Sequence, residues 1–163
     1  MTEKSETKLF LNTRESYGPS FQADLFEQYK LFVASAERIT ERREAANNYF
    51  LTVNASLLTL FGLMSTVGRK GYWAVFVSIA GILIALAWGR IIDSYRGMNS
   101  VKYKVIHELE DHMPTALFKY ERHKAMSEKN KIYQPHSRLE TWVPNIFVVL
   151  YIILGIIGVM EIS

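Results

Sequence analysis

The run His107-Glu108-Leu109-Glu110-Asp111-His112 is the one stretch of this chain with ligand or acid–base chemistry at close spacing. His107 and Asp111, four apart, share a helix face and can hold one metal between them. The two histidines diverge, because five residues turn a helix by about 140° beyond a full revolution. A His-Glu-x-x-His pair, by contrast, aims both imidazoles at one ion through its four-residue step. A solvated helix face is the plainer reading. His123 and His136 stand alone, and there is no glycine-rich phosphate loop and no Gly-x-Ser-x-Gly elbow. The absence of cysteine removes thiolate catalysis, iron–sulfur clusters, Cys-ligated zinc and disulfides together. The expectation is a protein that is not an enzyme and carries no cofactor or metal.

Polar side chains gain meaning from the apolar windows around them. The windows 48–67, 72–89 and 142–160 contain none of the 19 Lys and Arg and none of the 16 Asp and Glu. Each approaches the ~20 residues that cross ~30 Å of hydrocarbon, so the reading is an all-α integral membrane protein with three transmembrane helices. In the first window and at its edge, Asn47, Asn54 and Ser65 share one side of the helix, while Thr52, Ser56, Thr59 and Thr66 share the other. Lipid cannot satisfy polar groups, so both faces call for protein neighbours. Interhelical packing is a better account of these uncharged groups than a pore lining. Gly81, Ala85 and Gly89 form a small-residue face on the second span, of the kind along which backbones approach closely. The third span is almost wholly aliphatic from Ile146 to Ile157, which marks it as the lipid-facing helix. On this reading Gly81→Leu and Gly89→Leu disturb assembly more than Gly158→Leu.

The elements that must carry these residues follow from periodicity and breakers. Residues 1–19 read as a flexible tail ending at Gly18-Pro19, with a short Leu9-Phe10-Leu11 cluster through which it can dock at one point. Residues 20–47 form an amphipathic helix with Phe21, Leu25, Tyr29, Phe32, Ala36 and Ile39 on one face. No Pro or Gly separates it from the first span, so one long helix is predicted through both. Gly68-Arg69-Lys70-Gly71 is a tight turn, and it makes spans one and two antiparallel neighbours. The second span continues past the membrane to Pro114, giving a long hairpin in which Ile39 lies level with Ser100 and Phe32 with His107. The rest of 90–141 adds a short helix over 115–124, a polar linker over 127–135 and a capping box at Ser137 and Glu140. Pro144 falls beyond the first turn of that last helix and is expected either to kink it or to move its start toward Thr141.

Seven basic residues precede the first span, two lie between spans one and two, ten between spans two and three, and none follows the third. Seventeen therefore fall on one side and two on the other, which predicts a cytoplasmic N-terminus and a periplasmic C-terminus. Arg42, Arg43, Arg90 and Arg96 flank the inner leaflet and Trp142 sits at headgroup level, as topology anchors or lipid-headgroup contacts. The net charge of +3 is too small and too mixed to indicate nucleic acid. Below the membrane, Phe26 and Val33 lie about 80° off the main apolar stripe. That extra edge is the expected contact with the next subunit of a homo-oligomer.

Three groups of residues carry a family likeness. They are Glu27-Gln28-Tyr29-Lys30 with Glu37 to Arg43 and Asn47 to Leu51, Leu109-Glu110 before Met113-Pro114, and Trp142-Val143-Pro144. Over about residues 21–160 the chain resembles the RipA family of small bacterial inner-membrane proteins. The resemblance implies a homo-octamer with cytoplasmic helices, without an activity or functional residues to transfer. The function expected is a non-enzymatic inner-membrane scaffold whose cytoplasmic helices engage lipid or a cytoplasmic or envelope protein. The alternative is a membrane-permeabilising effector or channel, since the helix-then-hairpin layout is also similar to SLATT-type proteins of bacterial conflict systems. An added third span and no sensor domain weigh against it.

Overall fold

The computed structural model describes residues 8–66, 68, 71–127 and 136–162, without the side chains of residues 136–141. Among the described residues five helices follow in order: α1 (Arg14–Tyr17), α2 (Phe21–Thr66), α3 (Tyr72–Glu110), α4 (Leu117–Ser127) and α5 (His136–Ile162). Helices α2, α3 and α5 are long and apolar enough to cross a membrane. With 46 residues, α2 is about 70 Å long at 1.5 Å per residue, more than twice the ~30 Å of a hydrocarbon core. Its N-terminal half must therefore project from the bilayer. The predicted linker and capping box at 127–141 fall, past Ser127, on residues or side chains outside those described.

Helices α2 and α3 form the long antiparallel hairpin in the register expected from its short turn. From the membrane outward, Trp88 Nε1 donates to Asn47 Oδ1 at 2.9 Å, Asn99 Nδ2 to Thr40 Oγ1 at 3.2 Å and Lys102 Nζ to Ser35 Oγ at 2.6 Å. At the far end the Tyr29 hydroxyl donates to Glu110 Oε1 at 3.2 Å. Between these polar rungs Ala36, Ile39, Ile92, Ile106 and Leu109 are buried, and Leu25 is buried just beyond the last of them. Each large one contributes about 1.5–3 kcal/mol where water is the alternative. Gly71, at φ 61°, lets the chain turn directly into α3, and its N–H donates to Glu161 of α5 at 3.1 Å.

Helix α5 has two sides: Ile146, Val149, Ile152, Ile153, Ile156 and Ile157 are exposed, as a lipid-facing span requires, and the other side is covered by its own chain. Its inner face packs along α3, with Tyr151 fully buried and Pro144 buried beside Gly89. A Cβ at Gly81 would overlap the Tyr151 ring, and one at Gly158 would lie 2.7 Å from Ala74 Cβ and 2.9 Å from the Gly71 carbonyl. Gly81, Ala85 and Gly89 thus line the seam between α3 and α5. Gly158 is as tightly held as Gly81, whereas Gly89 leaves 3.8 Å to its nearest neighbour. The packed side is drawn from the interruptions of the aliphatic run, Pro144, Tyr151 and Gly158, which the average hydropathy of the span does not show. The helix also runs on both sides of Pro144, which lies inside α5 rather than in its first turn.

Two further features complete the fold. Part of the tail is docked: Thr13 and Ser16 form a reciprocal capping box on α1, and the Tyr17 hydroxyl donates to Asp24 at 3.0 Å. Phe10 stacks on His112 with ring centroids 4.1 Å apart. Helix α3 stops at Glu110, short of Pro114, because the chain turns at once through i to i−3 hydrogen bonds from His112 and Met113. The turn releases the Glu110 side chain to cap α4.

Candidate functional site

Helix α4 begins at Leu117 after Ala116, which has no side-chain oxygen to accept from the free N–H groups of the first turn. Glu110 supplies it from α3: its carboxylate accepts from Phe118 N at 2.8 Å and Lys119 N at 3.0 Å. The same carboxylate accepts the Tyr29 hydroxyl, so one group ties α2, α3 and α4 together while only 2 % exposed. Burial, the Glu110 charge and the hydrogen bond to it push the Tyr29 hydroxyl up to about 12. Sequence reasoning placed Glu110 on a solvated face; the signal for its role was the cap-less start of a helix seven residues on.

The other members of that acidic run disperse. Lys119 donates to Asp111 and holds its carboxyl below the ordinary value. His112 lies against Phe10 with Nδ1 3.3 Å from the Glu108 carbonyl, and His107 faces a cleft between α3 and α4. Among the described residues no three or more His, Asp or Glu side chains gather as a metal site.

Within the spans, the structure places Asn47 and Asn54 on the covered side of α2. Asn54 is fully buried; its Nδ2 donates to the Phe50 carbonyl at 2.8 Å, and its backbone carbonyl accepts the Tyr151 hydroxyl at 3.3 Å. Phe50 stacks on Trp88 at 6.1 Å, and Trp88 meets Phe147 of α5 at 5.9 Å. One aromatic group therefore joins all three spans.

The opposite side of α2 is bare. Only 6 % of its apolar window is buried within the chain, against 33 % for α3 and 17 % for α5. Thr52, Ser56 and Thr59 line a shallow groove there with Ala55, between Leu51, Leu60 and Leu63. Thr52 donates to the Asn48 carbonyl at 2.8 Å and Thr59 to the Ala55 carbonyl at 2.9 Å. The hydroxyls of Thr52 and Thr59 are thus satisfied within the helix, which lessens the demand of this face for a polar neighbour. What remains is shape: small residues along a groove, continued by Gly62, where an added Cβ would meet nothing.

Below the spans, Phe26 is 50 % exposed with the Lys30 ammonium 5.0 Å from its ring centroid, and Val33 is half-buried. Arg42 and Arg90 are exposed, Arg43 and Arg96 partly covered, and Arg96 lies 3.6 Å from Asp93. Trp142 is 66 % exposed at the start of the third apolar window.

A family model described as the octameric membrane protein family, 8xMP, matches residues 26–160. No curated protein and no solved structure matches the chain. The matched region takes in the projecting hairpin and all three spans, and a first span left bare by its own chain suits a family defined by self-association. The chain belongs to the octameric membrane protein family.

Proposed function

We propose that the protein is a non-enzymatic homo-octameric scaffold of a bacterial inner membrane, with its N-terminus and long hairpin in the cytoplasm and its C-terminus in the periplasm. The observation that carries this is the bare face of α2, where a groove of small residues runs along a span that its own chain hardly covers. In lipid, helix association comes from close packing of such surfaces rather than from hydrophobic driving force. A neighbouring protomer is the natural cover, and the Phe26 and Val33 edge extends the same contact below the bilayer. The seventeen-to-two distribution of basic residues supports the orientation. The residue likeness to the RipA family supports the inner membrane as the site and the cytoplasmic helices as the part that engages lipid or an envelope protein. Arg42, Arg43, Arg90, Arg96 and Trp142 anchor the chain at the headgroups.

The chain has no cysteine, so single cysteines at Ser5 and Ser163 read its topology directly. Labelling of the two from opposite faces is the expected result, and labelling of both from one face overturns the orientation. A scaffold leaves membrane potential intact on overexpression; rapid depolarisation would favour a permeabilising effector instead.

A further inference from the structure

Between α3 and α4 lies a cleft of about 640 Å³, within the size range of small-molecule sites. Its apolar wall is Tyr103, Phe118 and Met126, with the Tyr103 and Phe118 rings edge to face at 5.8 Å. Lys104 and Arg122 stand on its rim, one from each helix. Elsewhere the cations of this region have partners: Lys119 pairs with Asp111, Lys30 with Glu27, Arg96 with Asp93, and Lys102 binds Ser35. Among the described residues, Lys104 and Arg122 have neither a carboxylate within ion-pair distance nor a hydrogen-bond partner, although Glu121 is on the same rim. Two free cations over an aromatic wall form a surface that is complementary to an anion attached to a flat apolar body, and an Arg fork favours phosphate.

We propose that the cleft between α3 and α4 binds a soluble aromatic phosphate, with its ring against Phe118 and Tyr103 and its phosphate between Lys104 and Arg122. Position excludes a headgroup of the surrounding bilayer as the ligand. The charge-free run of α3 ends at Gly89. Ser100 and His107, also on the cleft wall, lie about 16 and 27 Å further along the helix at its standard rise. The headgroup layer extends only about 5–8 Å beyond the hydrocarbon. The ligand must therefore arrive from the aqueous phase.

The test uses the full chain in phosphatidylcholine nanodiscs, titrated calorimetrically with 1-naphthyl phosphate, 1-naphthol and inorganic phosphate. Saturable binding of 1-naphthyl phosphate is expected, with each half-probe at least about tenfold weaker, since each lacks one of the two contacts. Lys104→Gln with Arg122→Gln should weaken binding by about tenfold or more, the scale of losing charge-assisted contacts. Both positions are solvent-facing, so helicity and particle size should stay unchanged. Glu121→Gln should tighten binding severalfold by removing a like charge. Absence of saturable binding at millimolar probe, equal binding of 1-naphthol, or an affinity indifferent to the double substitution would each overturn the proposal.

Discussion

Glu110 is charged and almost fully buried, which is tolerable only because three donors converge on its carboxylate. Glu110→Ala removes the acceptor and leaves two helix amides and a hydroxyl without a partner. The expected cost is about 2–4 kcal/mol, read as loss of hydrogen-exchange protection at Phe118 and Lys119 while the spans stay protected. Tyr29 carries the pH consequence. Its hydroxyl titrates at about 12 in the folded chain against an ordinary 10.0, so the folded state holds the proton more tightly. The associated stability is fully present below pH 10 and is lost as pH rises toward 12. Tyr29→Phe should remove that alkaline loss in a pH series of thermal unfolding. An unaltered loss in the variant would assign it to another group.

At the scale of elements, the seam between α3 and α5 depends on where backbone meets side chain. Gly81→Ala drives a methyl into the Tyr151 ring and should cost about 1–3 kcal/mol, the range for overpacking. Gly89→Ala finds its nearest neighbour, Pro144 Cβ, at 3.8 Å, and should be neutral or stabilising by up to about 1 kcal/mol through helix propensity. Limited proteolysis that frees α5 distinguishes them: faster release for Gly81→Ala only is the expected pattern. Gly158→Leu belongs with Gly81, because Ala74 and the Gly71 carbonyl already fill its surroundings. The polar rungs of the α2–α3 hairpin act differently. They fix register more than stability, since a hydrogen bond such as that from Trp88 to Asn47 inside a bilayer is worth only about 1 kcal/mol.

For the whole molecule, the decisive surface is the one its own chain leaves open. Gly62 sits on the bare face of α2 with nothing near its added Cβ, so Gly62→Leu should leave the protomer fold and helicity unchanged. If neighbouring protomers pack there, the same substitution should break the assembly into smaller particles by native mass measurement. Phe26→Asp with Val33→Asp tests the same contact below the bilayer. Burial of each such side chain is worth about 1.5–3 kcal/mol, and the double variant should also lower the assembly size. Intact particles from Gly62→Leu with dissociation in the double variant would move the subunit contact out of the membrane and onto the projecting hairpin.

Three charge-free windows and the four-residue turn at Gly68 to Gly71 already specify a membrane hairpin with long arms, because helix rise and bilayer thickness are fixed lengths. The turn is short enough that pairing such as Thr40 with Asn99 and Tyr29 with Glu110 follows from counting along the chain. Average hydropathy hid the neighbour of α5, since its Ile, Val and Leu side chains stay mostly exposed and the contact with α3 is made by the few residues that interrupt them, Pro144, Tyr151 and Gly158. Only the fold showed that Tyr151 rests on Gly81, and that the small-residue face of α3 is turned to α5. Glu110 was equally hidden. Nothing local distinguishes it from Glu108 in sequence, and its burial depends on the bare start of α4 folding back to within hydrogen-bond distance.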